Sequence, residues 1–148
     1  MSEQTAKAAT QGKSKNQLHT LQIETDTRVE FRDITSQIQH LIERSGIQSG
    51  VCHIFVPHTS AAILINENYD PAQRQDISDF LKKLAPPNLD YQHNDGNCDS
   101  HLKAALIGAS KTLLIENYRL LLGRWQGVYF CEFDGPRRRD LHVKLVAD

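Results

Sequence analysis

Polar and apolar positions along this chain follow two periods, and the switches between them predict its elements. Leu18-His-Thr-Leu-Gln-Ile-Glu-Thr25 alternates with a period near two and predicts a β-strand. Ile34, Ile38, Leu41 and Ile42 recur at helical spacing, with Asp33 or Thr35 as the cap and Gly46 as the stop, so a core-facing amphipathic helix is expected. Gly50–Val56 predicts a buried strand broken by Pro57, and Ala61–Ile65 a second one ending in Asn66-Glu67. Asp70-Pro71 starts a helix with proline at its first position, and Ile77, Phe80, Leu81 and Leu84 form its apolar face. Ala85-Pro-Pro87 ends that helix and opens a loop of roughly a dozen residues, long enough to suggest a function.

Asp95-Gly96 predicts a turn, and Leu102 with Ala104–Ile107 a short helix capped by Asp99 or Ser100 and stopped by Gly108. Lys111–Ile115 and Tyr118–Leu122 are expected strands around Glu116-Asn117, followed by a turn at Gly123–Gly127 and a strand at Val128–Phe133. Asp134-Gly-Pro136 breaks that strand, and Asp140–Val146 is the last. Met1–Gln17 lacks aromatics and an apolar pattern, which predicts a disordered extension ahead of a single domain over 18–148. Many strands with about three interspersed helices, and no regular βαβ alternation, predict an α+β fold: a compact, mainly antiparallel β-sheet sandwich.

Composition narrows the function classes. A chain of 148 residues fits one domain with a real core. No apolar run approaches membrane-spanning length and the N-terminus has no apolar signal region, so no membrane partner is expected. Three cysteines without CxxC spacing argue against a disulfide framework or a cysteine-based zinc site, and point to a reducing, cytoplasmic setting. A net charge of −1 gives no electrostatic basis for nucleic-acid binding. Seven histidines are many for this length, and they direct attention to site chemistry.

Three breaks collect the polar residues. The first is Pro57-His58-Thr59-Ser60, with Asn66-Glu67 at the far end of the next strand. The second runs from His93 through Asp95, Asn97, Asp99 and Ser100 to His101. The third is Trp125-Gln126 with Asp134-Gly-Pro-Arg137-Arg-Arg139. His58, His93 and His101 are the candidate metal ligands for a divalent ion, zinc or magnesium, although their spacing is not one of the strong metal signatures. Glu67, Asp95, His58 and His101 are the candidate acid–base groups, with Asp95 also able to orient a histidine. Arg137 and Arg139 alternate about Arg138, so the outer two share a face and could hold a phosphate; the plainer alternative is a basic strand edge. Trp125 reads as an anchor of the core or a subunit contact before a stacking platform. His53 lies inside a strand and is expected to be buried and hydrogen-bonded. Cys52 and Cys131 are expected as buried thiols, and nothing marks Cys98 as a nucleophile.

Taken together, Pro57-His-Thr-Ser-Ala61, Asn66-Glu67, Asp70-Pro71, Asp95-Gly-Asn-Cys-Asp-Ser-His-Leu-Lys103, Gly123-Arg-Trp-Gln126 and Glu132-Phe-Asp-Gly-Pro-Arg137 with Arg139 resemble the YjbQ-like family. The resemblance runs from roughly Gln17 to Val146. It implies a homotrimer with polar segments near subunit boundaries, a metal at the histidine cluster, and a thiamine-phosphate synthase activity described as secondary. That activity would join a hydroxymethylpyrimidine diphosphate to a thiazole phosphate and release pyrophosphate, so the expected partner is a small phosphorylated metabolite. By position the site would comprise His58, Thr59, Ser60, Asn66, Glu67, His93, Asp95, Asn97, His101 and Arg137, with Ser100 and Arg139 as further substrate-binding candidates. Arg124 stands where the family usually has threonine, and Cys98 where a small residue is common. Two other functions stay open: a trimeric metal- or metabolite-binding protein, and a metal-dependent hydrolase of a small phosphorylated metabolite.

Overall fold

The computed structural model describes residues 16–148. The extension expected over Met1–Gln17 therefore lies, for residues 1–15, outside the described residues; Asn16 and Gln17 already belong to the first strand. The elements are β1 (Asn16–Glu24), β2 (Glu30–Asp33), α1 (Thr35–Ser45), β3 (Gly50–Phe55), β4 (Ala61–Glu67), α2 (Pro71–Leu84), α3 (Cys98–Ile107), β5 (Ser110–Glu116), β6 (Arg119–Leu120), β7 (Gln126–Glu132) and β8 (Arg138–Ala147). The strands form two antiparallel sheets, β1-β8-β3-β5-β6 and β2-β7-β4. The expected α+β sandwich with three helices is the architecture found.

The alternation of the strands decides the layering. Ile23, Ile54, Leu141 and Leu145 point from the larger sheet onto Ile63, Val128 and Phe130 of the smaller one, and Ile34, Ile38 and Ile42 of α1 complete the same core. The smaller sheet is apolar on its other face too. There Ala62, Tyr129 and Cys131 meet Leu81 of α2 and Ala104 of α3. β7 thus lies between two cores, and every residue from Gly127 to Glu132 is buried. That explains its unbroken apolar run, which resembles a doubly covered strand rather than a half-buried one.

Several local expectations change on contact with the tertiary structure. β2 pairs with β7 over Glu30↔Glu132 to Asp33↔Tyr129, although its four residues carry no strong alternation. On α2 only Leu81 is fully buried, while Phe80 and Leu84 stay 60% and 54% exposed; the helix presents a narrower stripe than its spacing suggested. Asp99 and Ser100 do not cap α3. They lie in its first turn, buried, and Asn97 is the N-cap. The β5–β6 connection is a two-residue hairpin in which Asn117 (φ 54°) and Tyr118 (φ 65°) are both left-handed, the geometry that matches strand twist. His53 is exposed on the outer face of the larger sheet, where its ring is 3.0 Å from Thr112 Oγ1. The alternation of β3 puts Cys52 and Ile54 inward and His53 outward, so the expectation of a buried His53 fails by one residue of register.

Candidate functional site

The turn between β3 and β4 carries Pro57-His58-Thr59-Ser60, and β8 fixes it from below. Arg139 Nη2 donates to Ser60 Oγ at 2.7 Å and to Ser60 O at 3.3 Å. The same guanidinium donates through Nε to Glu132 Oε1 at 2.9 Å, and Nη2 pairs with Glu132 Oε2. Thr25 Oγ1 donates to Glu132 Oε1 at 2.9 Å, and the Asp134 amide to Oε2 at 3.0 Å. Arg139 is 3% exposed and Glu132 fully buried, so this is an interior ion pair whose hydrogen bonds satisfy both groups. Ser60 and Arg139, expected as substrate-binding residues, are sealed within it and act on the site by holding the turn.

Two histidines meet at that turn with defined hydrogen-bond roles, His58 on it and His101 reaching it from α3. His58 Nε2 accepts the backbone N–H of Asp140 at 2.9 Å. An amide N–H can only donate, so Nε2 is unprotonated and the neutral ring carries its hydrogen on Nδ1. Burial lowers the His58 pKa, and the nearby Arg139 charge acts in the same direction. His101, in the first turn of α3, lies with Nδ1 2.9 Å from the carbonyl oxygen of Thr59. A carbonyl can only accept, so Nδ1 holds a hydrogen, and in the neutral ring Nε2 carries the lone pair. The two rings border one open pocket of about 600 Å3 with walls of Ala61, Ala104, Ala105 and Ala109. One imidazole thus offers a donor and the other a base, beside small apolar walls that leave room for a flat ring.

His93 adjoins this pair from the loop before α3. Its ring centroid is 5.2 Å from that of His101 at an interplanar angle of 62°, and its Nε2 is 3.6 Å from Asp95 Oδ2. The donor set tests the divalent ion. A zinc site takes three or four converging ligands. His58 Nε2 is occupied by the Asp140 amide, and among the described residues no three His, Cys, Asp or Glu side chains converge in metal-ligand geometry. The donors that one chain brings together do not fit such an ion.

The N-terminus of α3 connects this pocket to Arg137. Asn97 Nδ2 donates to Asp134 Oδ2 at 3.0 Å, and Arg137 donates to the same residue through Nη2 at 3.1 Å and through Nε to its carbonyl at 2.8 Å. Arg137 remains half exposed, whereas Arg138 points to the opposite face and pairs with Glu24 at 3.3 Å. Asn97 Oδ1 is buried without a hydrogen-bond partner among the described residues. Behind it, Asp99 receives both guanidinium ends of Arg28 at 3.0 and 3.2 Å, and Ser100 Oγ donates to Phe133 O. Arg28 holds the Asp99 carboxyl below the usual range against the opposing effect of burial. Ser100, like Arg139, is an interior fastener.

Asn66 and Glu67 do not join the histidines within one chain. β4 pairs Ala61 with Glu132 and Glu67 with Gln126, so Glu67 lies six residues along the strand, about 20 Å from the His58 turn. There Glu67 Oε1 accepts the amides of Tyr69 and Asp70 at 3.1 and 2.9 Å, while Oε2 is buried and unpartnered among the described residues. Trp125 sits nearby, 49% exposed, edge-on to Tyr69 at 5.2 Å and under Arg124 at 4.9 Å. It anchors no core in this chain.

Sequence reasoning missed Arg28, Glu132, Thr25 and Asp140. Lys103 had one local signal, its i,i+4 relation to Asp99. Arg28 and Thr25 contribute through pairings more than 70 residues apart and Asp140 through a backbone amide, which no local pattern encodes, whereas Glu132 meets Arg139 only seven residues on, across the Asp134–Arg137 turn.

Known proteins share both sequence and shape with this chain. Residues 19–148 match the family model described as UPF0047 protein YjbQ-like. A UPF0047 protein of Methanocaldococcus jannaschii is 48% identical over 86% of this chain and 92% of its own length. The UPF0047 protein YugU of Bacillus subtilis is 45% identical over 88% of this chain and 99% of its own. A solved structure from Sulfolobus solfataricus, titled a protein of unknown function, superposes with a TM-score of 0.87 at 34% identity, covering 90% of this chain and 99% of that one. Another, from Clostridium acetobutylicum, gives a TM-score of 0.84 at 44% identity, covering 86% and 99%. Among the described residues no helix is long and apolar enough to cross a membrane. The motifs around His58 and His101, the two-sheet architecture and these matches agree that the chain belongs to the YjbQ-like UPF0047 family.

Proposed function

We propose that the His58–His101 pocket binds a small phosphorylated metabolite and transfers a group from it. The observation that carries this is the opposed fixing of two imidazoles on one pocket: His58 as a donor through Nδ1–H, His101 as a base through Nε2. Loss of a diphosphate needs a cation where the leaving oxygens develop negative charge. Arg137, half exposed and coupled through Asp134 to Asn97 at the start of α3, is the cation that serves this role. The alanine walls suit a planar heterocycle. The specific reaction that the family resemblance supplies is thiamine-phosphate synthase chemistry, a hydroxymethylpyrimidine diphosphate joined to a thiazole phosphate with release of pyrophosphate.

Glu67 supports a second element of the proposal. A buried carboxylate oxygen without a partner is costly, and it sits at the end of the fold away from the histidines. In a homotrimer a neighbouring subunit would supply its partner, so we propose that assembly as the working form. The experiment is turnover with the two thiamine precursors, following pyrophosphate and thiamine phosphate together, alongside light scattering of the same sample. Product formation that disappears in His101→Ala supports the assignment. Absence of product above a protein-free control refutes the reaction, and a monomer mass at micromolar concentration refutes the trimer.

A further inference from the structure

A second cavity, distinct from the histidine pocket, opens on the other flank of α3. It has a volume of 260 Å3 and lies between α2 and α3, with Phe133, Leu81 and Val29 as its apolar floor. Three cations border it: Arg28, Lys82 and Lys103. Lys103 is the unusual one. It is 3% exposed, and its Nζ donates to Asp99 Oδ2 at 3.2 Å, the one hydrogen bond it makes among the described residues. An ammonium carries three N–H donors, and Lys103, which lines the cavity, uses one of them on Asp99.

The charges do not balance around it. Asp99 is the carboxylate that serves Lys103, and Arg28 already grips it with both guanidinium ends. One buried anion is shared between two cations, Lys103 in the interior and Arg28 with 40% of its side chain exposed, which leaves one positive charge in excess beside the cavity. At the rim Lys82 and Asp79 oppose each other. Buried charge without a full complement of partners is unfavourable, and an entering anion would relieve it.

We infer that this cavity is a binding site for a small organic monoanion, a carboxylate on a short apolar body, whose head group meets Lys103 Nζ and whose body lies on Phe133 and Leu81. Three features select that class. The surplus is a single charge, and Asp79 on the lining disfavours a second negative charge. The floor is apolar, which a bare inorganic ion would not use. The volume equals about nine waters' share of the liquid, which limits the ligand to a similar number of non-hydrogen atoms.

Hexanoate serves as the probe, with hexylamine as the same body bearing the opposite charge and inorganic phosphate as a head group without a body. Calorimetric titration of the full chain should show hexanoate binding at least about tenfold more tightly than either control. Two variants divide the causes. Lys103→Met removes the charge while Arg28 still pairs Asp99, and it should weaken hexanoate about tenfold or more. Ser78→Phe leaves every ion pair intact and fills the cavity from half-buried Ser78 on α2, and it should abolish binding. Should Lys103→Met fail to fold, Ser78→Phe still decides. The inference is overturned by an absence of hexanoate binding at millimolar concentration, by phosphate binding more tightly than hexanoate, or by Ser78→Phe binding like the parent.

Discussion

Replacing Arg139 by methionine isolates what the interior ion pair does. The substitution keeps the apolar stem and removes the guanidinium, so Glu132, fully buried, loses its charged partner and keeps only the Thr25 hydroxyl and the Asp134 amide. Breaking a buried pair from one side costs about 3–5 kcal/mol. Against a total stability of about 5–15 kcal/mol that is a large share. Each kcal/mol is worth roughly 3–4 °C in a domain of this size, so the expected fall in Tm is about 10–20 °C. The neighbouring residue supplies the control. Arg138 and Glu24 form their bond with both side chains about two-thirds exposed, so Arg138→Met should change stability by less than about 1 kcal/mol. Chemical denaturation of both variants, with equal slopes, gives the comparison directly. The double variant Glu132→Gln/Arg139→Met should recover part of the loss, because the stranded charge is gone. If Arg139→Met and Arg138→Met prove equally mild, the interior network does not carry the weight assigned to it, and Arg139 returns to the list of groups free to meet a substrate.

Other outcomes follow from the same geometry. His53→Ala should change stability by no more than about 0.5 kcal/mol, since the ring is exposed, while His101→Ala should keep most of its stability and lose turnover; the paired melting and activity measurements reverse the reasoning if His53→Ala is the variant that loses function. Because burial lowers the His58 pKa in the folded state, the native protein binds this proton less readily than the unfolded chain; the contribution is intact above the ordinary histidine pKa and is lost as pH falls below it, so unfolding free energies measured from pH 7.5 to 5 should decline and the decline should shrink in His58→Gln. A flat profile in the parent contradicts it. Burial pushes the Cys52 thiol up to about 12 and raises Cys131 as well, so alkylation of the native protein at pH 8 should modify Cys98 first, as peptide mapping would show.

Period-two and helical spacing made β1, β3, β4, α1 and the ends of α2 and α3 legible, because those elements bury a face against a core. β2 was not legible: Glu30-Phe-Arg-Asp33 is held by its pairing with β7 rather than by its own pattern. His58 and His101 were marked by their position at breaks beside Thr59 and Ser100, and both border one pocket. Their company was read less well. Glu67 stood close in sequence to His58, yet an extended strand puts them at opposite ends of the sheet. Arg137 and Arg139 looked equivalent by alternation, but strand β8 starts between them, and only Arg139 turns into the interior.

The pairing of β1 with β8 joins Asn16 to Val146, so the two ends of the described chain lie side by side. β8 is also an inner strand, flanked by β1 and β3. During synthesis β1 and β3 must therefore wait, with a gap between them, until the residues of β8 arrive. The groups that fix the histidine turn, Arg139 and the Asp140 amide, travel on that late strand. A nascent chain that has not reached β8 lacks both of the groups that fix His58. The same adjacency makes a circular permutant practicable: a short linker from Asp148 to Asn16, with new ends cut in the 86–96 loop, would let β8 and β1 emerge as one hairpin and should hasten the appearance of the site.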